Sequence, residues 1–115
     1  MRPPEVNKYL FDMQEACGLI EKFTRGKSFE DYCDDPLIKS GVERQFEIIG
    51  EALSQALKME PSLKDSITSA SSIIAFRNRL IHGYSSVSNR LVWGIIELNL
   101  PSLGEELKQL LKDAL

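Results

Sequence analysis

The chain has 115 residues, of which 43% are hydrophobic and 27% are charged, and its formal net charge at pH 7 is −3. These values are typical of one globular domain, predicted to span residues 1–115, and they argue against a general nucleic-acid binder, whose domain is usually basic. No apolar run approaches the roughly 20 residues of a membrane helix. Since no secretory signal is recognisable and the two cysteines match no metal or redox motif, we expect reduced thiols in a cytoplasm.

The first predicted helix begins at the proline pair Pro3-Pro4 and ends near Gly26. Its apolar residues follow at steps of three and four: Val6, Tyr9, Leu10, Met13, Cys17, Ile20 and Phe23. Residues 27–35 are predicted to form a connector with at most one helical turn. The capping signal Ser28-Phe29-Glu30-Asp31 is present there, but it runs directly into a polar stretch that contains a proline.

Asp35-Pro36 predicts the start of the second helix, because an acidic cap followed by proline suits a helix N-terminus. An apolar stripe continues to residue 57, and the helix is expected to end at Lys58. Three acidic residues form a ladder beside this stripe: Glu43, Glu47 and Glu51. A solvated helix face is the usual meaning of such a ladder. A counter-charge for Arg77 and a docking face for a basic partner are the alternatives that remain open.

After a proline-containing break, a central helix is predicted from about residues 66–71 to His82. A serine-rich loop then leads to a helix cap at Ser88 or Asn89. Pro101 must kink or interrupt the last helix. Because there are no strand-like alternations, the chain is predicted to be all-α, an up-and-down antiparallel bundle of four to five helices.

The central helix carries a break in its apolar pattern. At about 100° per residue, Ile73, Ile74 and Ile81 share one face, and Arg77 falls in the middle of that face. An arginine is almost never fully buried unless it is paired, and such breaks concentrate at functional sites. No acidic residue lies between positions 65 and 97. The segment from residue 73 to Tyr84 is therefore where the function is to be sought.

The polar residues of this segment suit the cleavage of RNA. The one histidine of the chain, His82, is predicted to take a proton from a ribose 2′-hydroxyl and to return one to the leaving 5′-oxygen. Arg77 is predicted to hold the phosphate and to stabilise its growing charge. Asn78 and Arg79 are candidates for orienting or binding the substrate. No carboxylate cluster is present for a metal, so we expect neither a metal nor a cofactor.

Each of these residues, taken singly, could also have a purely structural role. His82 suits the negative end of a helix dipole, Arg77 could form a buried ion pair with a glutamate of the second helix, and Tyr84 could simply pack after a turn. Geometry adds a condition, because residues five apart on a helix point about 140° away from each other. Two copies with these helices face to face would place Arg77 and His82 of both chains in one shared groove, so a homodimer is predicted.

The segment Arg77-Asn78-x-x-x-His82-x-Tyr84 resembles the Arg-x4-His-x-Tyr motif of the HEPN superfamily, and within it that of the HepT-like toxins. The stretch Val42-Glu43-Arg44-Gln45-Phe46-Glu47-Ile48-Ile49-Gly50-Glu51-Ala52 is similar to the second-helix signature of that family. Val92-Trp93 with Leu100-Pro101-Ser102-Leu103 resembles its last helix. Ser71-Ser72 departs from the aromatic residue that relatives often have before the motif helix.

The resemblance implies a small helical bundle that dimerises through the motif helices. It also implies a metal-independent endoribonuclease, the toxin of a type VII-like toxin–antitoxin system, held in check by a minimal nucleotidyltransferase antitoxin. In this family the arginine and the histidine are the catalytic pair, which implies Arg77 and His82 here. The tyrosine that the antitoxin adenylylates corresponds to Tyr84. The alternative is a non-catalytic nucleotide- or substrate-binding partner subunit of a nucleotidyltransferase.

Overall fold

The computed structural model describes residues 2–113 and contains six α-helices within that range. In chain order they are α1 (Pro4–Thr24), α2 (Phe29–Asp34), α3 (Pro36–Met59), α4 (Ala70–His82), α5 (Asn89–Leu98) and α6 (Leu100–Lys112). Two short 3-10 turns precede and follow α4, at Pro61–Asp65 and Tyr84–Ser86. The prediction of an all-helical bundle is confirmed. None of the helices in the described part of the chain has the length and apolar character needed to cross a membrane.

In the core, α1 packs against both α3 and α6, and α4 packs against α3. The central residues are aliphatic and fully buried: Val6, Leu10, Met13, Ile20, Val42, Ile49, Leu53 and Leu107. They recur at helical steps of three, four and seven, which is the spacing that turns one face of each helix inward. Helix α3 therefore carries the core on one side and the motif helix on another.

The helix ends follow local capping chemistry, as predicted. Gly26, just after α1, has a φ of 73°, a left-handed conformation that suits glycine. The carboxylate of Asp35 accepts hydrogen bonds from the backbone amides of residues 37 and 38, at 3.1 and 3.2 Å. Ser88 caps α5 by accepting a hydrogen bond from the amide of residue 91 at 3.0 Å. The last helix is interrupted as predicted, because α5 ends at Leu98 and α6 begins with Pro101 in its first turn.

The connector of residues 27–35 was predicted to contain at most one helical turn, and this prediction is wrong. A complete capping box forms, in which Ser28 accepts from the amide of Asp31 at 3.1 Å and Asp31 accepts from the amide of Ser28 at 2.9 Å. The six-residue helix α2 then buries Tyr32 against Trp93 of α5, with 5.5 Å between ring centroids. This long-range aromatic contact stabilises a helix that the polar local sequence does not favour.

Hydrogen bonds to a glutamate of α6 hold the segment that leads into α4. The backbone amide of Thr68 donates to both carboxylate oxygens of Glu106, at 3.3 and 3.2 Å, and its hydroxyl also donates to this carboxylate. Since Thr68 precedes α4 by two residues, these bonds hold the beginning of the motif helix in place.

The apolar face of α4 agrees only in part with the predicted one, because Ile73 and Ile74 are partly buried and pack against the core, whereas Ile81 does not. The buried residues of this helix are Ala70, Phe76 and Leu80, whereas Ile81 is 48% exposed. Phe76 meets Phe46 of α3 edge to face, with 5.3 Å between ring centroids. This aromatic pair, together with the close contact of α3 at Arg77, sets the rotation of α4 about its axis and leaves Ile81 at the surface.

Candidate active site

The polar residues of the motif lie on two sides of α4. The side chain of Arg77 is only 18% exposed and points towards α3, whereas Asn78, Arg79 and His82 are exposed. Within residues 2–113, no hydrogen bond or ion pair joins Arg77 to His82. One copy of the chain therefore displays the two residues on separate faces, in agreement with their five-residue spacing.

Arg77 lies at a tight contact between α4 and α3. A Cβ atom built on Gly50 would stand 2.4 Å from the Cβ and 2.7 Å from the Cγ of Arg77, so only glycine allows this contact without a shift. The guanidinium then reaches Glu51, with 3.4 Å between its Nη1 and Oε2. Its Nε is buried and has no hydrogen-bond partner among the described residues. The ion pair with a glutamate of the second long helix, left open by the sequence, is thus present.

The three glutamates of α3 each have a different partner. Glu51 pairs with Arg77, Glu47 accepts from the Arg44 guanidinium at 3.1 Å, and Glu43 accepts from the Tyr84 hydroxyl at 3.2 Å. The counter-charge role for Arg77 is therefore confirmed for Glu51. The contact between Glu43 and Tyr84 was not predicted. The four-residue spacing of the ladder could have suggested it, since that spacing places all three carboxylates along one side of α3.

Tyr84 begins the turn that follows α4, and the turn is held by Arg79. The guanidinium of Arg79 donates to the carbonyl oxygen of Ser86 at 2.6 Å and to its Oγ at 3.3 Å, while that Oγ donates to the carbonyl of Gly83 at 2.6 Å. Tyr84 itself is 58% exposed. The charge of Glu43 and its hydrogen bond raise the pKa of the Tyr84 hydroxyl above the ordinary value of tyrosine.

A second tyrosine lies near this pair. The hydroxyl of Tyr32 in α2 is buried and has no hydrogen-bond partner in residues 2–113. Burial raises its pKa, and the charges of Glu43 and Tyr84 add to this effect. Across the described residues, no three His, Cys, Asp or Glu side chains are grouped closely enough to hold a metal ion.

An all-helical bundle with an arginine and a histidine five residues apart on one helix, and a tyrosine in the turn after it, defines a HEPN-like domain. A comparison with protein families agrees with this class. The family described as "HepT-like: Ribonuclease HepT-like" matches residues 13–110, and the chain belongs to it.

Curated relatives of similar length support the assignment. The chain is 34% identical over 104 residues to "Putative RNase TTE0752" of Caldanaerobacter subterraneus subsp. tengcongensis, covering 90% of this chain and 92% of the relative. It is 36% identical over 104 residues to "Probable ribonuclease HepT" of Thermococcus cleftensis, covering 90% and 94%. It also matches 49% of a longer protein of Methanocaldococcus jannaschii, "Gamma-glutamylcyclotransferase and putative RNase MJ0434", at 30% identity, over 95% of this chain. No solved structure gives a significant match.

Proposed function

We propose that this chain is a metal-independent endoribonuclease, the toxin of a type VII-like toxin–antitoxin pair, in which Arg77 and His82 carry the chemistry. The observation that carries the proposal is the arrangement of the motif on α4. Arg77 is anchored against α3, while His82 is exposed at the end of the same helix. Membership of the ribonuclease HepT-like family, and relatives named as RNases, support RNA as the substrate.

The proposed reaction uses the ribose of the substrate as nucleophile. The imidazole of His82 accepts the proton of the 2′-hydroxyl, and the 2′-oxygen forms a bond to the adjacent phosphorus. The bond from phosphorus to the 5′-oxygen breaks, and the leaving oxygen takes up a proton from the imidazolium. The products are a 2′,3′-cyclic phosphate on one fragment and a 5′-hydroxyl on the other.

Arg77 stabilises the charge that develops on the phosphate. In the free protein its guanidinium is shared with Glu51, whose side chain is 57% exposed, and its Nε has no partner within the described residues. Because Glu51 can turn into water at little cost, a phosphate can replace it and accept two parallel hydrogen bonds from the guanidinium. Arg77 is then both pre-positioned by α3 and available to the substrate.

The other polar residues of the segment have supporting roles in this proposal. Asn78 is exposed one helical turn before His82, where it can orient the imidazole or contact the substrate. Arg79 has an indirect role, because its guanidinium holds the turn that contains Tyr84. Tyr84 is the residue that a minimal nucleotidyltransferase antitoxin adenylylates. The phosphate charge added there would compete with RNA for the positive groups of the site.

The separation of Arg77 from His82 leads to the proposal of a homodimer. Two copies with their α4 helices face to face would bring the arginine of one chain towards the histidine of the other. The exposed Ile81, beside His82, offers apolar surface for such a contact. Sedimentation velocity at micromolar concentration tests the dimer, and a monomer under these conditions would remove the shared groove.

A second candidate function has one observation in its favour. The carboxylates of Glu43 and Glu51 flank the motif and would repel a nucleic-acid phosphate. A non-catalytic subunit that presents a substrate to a nucleotidyltransferase binds no RNA phosphate at this place and would not be affected by this repulsion. Such a subunit, however, has no need of the exposed His82.

The experiment that separates the two candidates is RNA cleavage by the purified chain. A 5′-labelled RNA is incubated with the protein in EDTA, and the product ends are identified by mass spectrometry. Cleavage that persists in EDTA and leaves 2′,3′-cyclic phosphate ends supports the nuclease. Binding without cleavage supports the subunit, and activity that requires added magnesium contradicts the metal-independent mechanism.

A further inference from the structure

The hydroxyl of Tyr84 has one hydrogen-bond acceptor among the described residues, and it is a carboxylate. The phenolic oxygen donates to Oε1 of Glu43 at 3.2 Å, across the junction between α3 and the turn after α4. Tyr84 is exposed to an approaching reagent, while Glu43 is half-buried on a helix of the core. The carboxylate is therefore within hydrogen-bond reach of the reactive oxygen, and that oxygen belongs to an accessible residue.

We propose that Glu43 is the proton acceptor when the Tyr84 hydroxyl attacks the α-phosphorus of a nucleoside triphosphate. This inference rests on the proposed function, because it takes Tyr84 as the residue that is modified. In the step, a bond forms between the phenolic oxygen and the α-phosphorus, and the bond to the bridging oxygen breaks. Pyrophosphate leaves with the electron pair of that bond, and the phenolic proton passes to Oε1 of Glu43.

The neighbouring acids are not equivalent to Glu43. Glu47 lies one helical turn further along α3, but its carboxylate is paired with Arg44. Glu51 lies two turns along and is paired with Arg77. Glu43 is thus the one member of the ladder that contacts a hydroxyl, and it contacts the atom that would react.

The turn after α4 helps to keep the Tyr84 hydroxyl close to the Glu43 carboxylate. Arg79 ties the turn to the end of α4, so that the backbone of Tyr84 is held while its ring remains exposed.

Glu43 has two effects on Tyr84, and they predict opposite results when it is removed. As a negative charge, it raises the pKa of Tyr84 and so lowers the fraction of reactive phenolate. As a proton acceptor, it allows the neutral hydroxyl to react. If only the first effect operates, Glu43→Gln accelerates modification of Tyr84. If Glu43 takes the proton, Glu43→Gln slows it.

The test uses an electrophile that needs no partner enzyme. The full chain is treated with benzenesulfonyl fluoride, which sulfonylates phenols with loss of fluoride, and the adduct at Tyr84 is quantified by peptide mass spectrometry. We expect Glu43→Gln to slow the reaction at least about tenfold near neutral pH. Glu47→Gln is the matched control, since it removes the same charge from the same helix, and it should react at the wild-type rate. Tyr84→Phe lacks the reactive hydroxyl, so the absence of the adduct in this variant identifies its position.

A pH profile distinguishes proton transfer from a change of structure. We expect the wild-type rate to vary little near neutral pH, and the Glu43→Gln rate to rise about tenfold per pH unit as phenolate forms. A rate in Glu43→Gln that equals or exceeds the wild-type rate overturns the proposal. The same variants are then incubated with a purified minimal nucleotidyltransferase and ATP. If that enzyme leaves wild-type Tyr84 unmodified, the proposed adenylylation fails, whereas the role of Glu43 is decided by the electrophile.

Discussion

Gly50 and Arg77 are in direct contact, and this contact joins the core helix to the motif helix. A methyl group on Gly50 would stand 2.4 Å from the Cβ of Arg77, a distance that real Cβ atoms essentially never show. The atom it would meet belongs to the base of the side chain, which cannot swing aside. The absence of a side chain at position 50 therefore lets α4 lie close enough to α3 for the guanidinium to reach Glu51.

The first prediction is that Gly50→Ala destabilises the protein, although alanine is the better helix former. Separating the two helices should lower the free energy of unfolding by about 1–3 kcal/mol. Urea unfolding followed by circular dichroism measures the change. Gly18→Ala is the control, because a Cβ there meets nothing within 4 Å, and it should raise stability by up to about 1 kcal/mol. Equal gains in both variants would contradict the tight contact.

The second prediction concerns the proposed catalytic pair. His82→Ala should lower the rate of RNA cleavage by about 10²–10⁴-fold through loss of acid–base catalysis. Arg77→Ala should lower it by about 10²–10³-fold through loss of charge stabilisation. Single-turnover cleavage of a labelled RNA measures both. Ser71→Ala, at another exposed position of α4, should retain the wild-type rate, and an unchanged rate in His82→Ala would exclude this residue from the chemistry.

The third prediction is that Glu51 competes with the substrate for Arg77. Removing the carboxylate in Glu51→Gln should raise the rate of RNA cleavage about two- to fivefold, since exposed ion pairs of this kind are worth about 0.2–1 kcal/mol. Stability should change by less than about 0.5 kcal/mol. Glu47→Gln is the control for the lost charge, because in the wild type the carboxylate of Glu47 pairs with Arg44 and not with Arg77. A lower rate in Glu51→Gln would instead make Glu51 a residue that positions Arg77.

The fourth prediction is that Tyr84 is needed for silencing by a nucleotidyltransferase but not for RNA cleavage. Tyr84→Phe removes the hydroxyl that donates to Glu43 but keeps the exposed ring. The variant should cleave RNA and should no longer be silenced by a co-expressed nucleotidyltransferase. Growth of the host and the intact mass of the protein are the measurements. Tyr9→Phe should remain silenced, and silencing of Tyr84→Phe without a mass increase would point to simple occlusion.

The fifth prediction uses the two cysteines as probes of packing. Burial raises the pKa of the Cys17 thiol to about 12, whereas Cys33 is half-buried. Because the thiolate is the reactive form and a raised pKa keeps Cys17 protonated until strongly alkaline pH, a disulfide reagent at about pH 8 should titrate one thiol per folded chain. Cys33→Ser should abolish this rapid reaction. Two rapid thiols in the native protein would contradict the packing of α1.

Much of the fold could be predicted from the sequence because it depends on local chemistry. Asp35 and Ser88 cap helices through amides two or three residues away, and Gly26 supplies the backbone conformation of a single turn. Pro101 breaks the last helix by the geometry of its own ring. Each of these signals acts within one turn of the chain, so these helix ends follow from neighbouring residues, whereas α2 depends on the distant contact of Tyr32 with Trp93. The position of the motif on the central helix follows in the same way.

The sequence by itself therefore determined the helices other than α2, their bundle class and the segment that carries Arg77, His82 and Tyr84. Only the tertiary structure decided which face of α4 is buried and which glutamates touch the motif. These features depend on side chains that are distant in sequence, such as Phe46 against Phe76 and Glu43 against Tyr84. The helical period gives a residue's direction relative to its own helix axis, whereas the rotation of that helix against its neighbour is set by packing, beginning with the contact of Gly50 and Arg77.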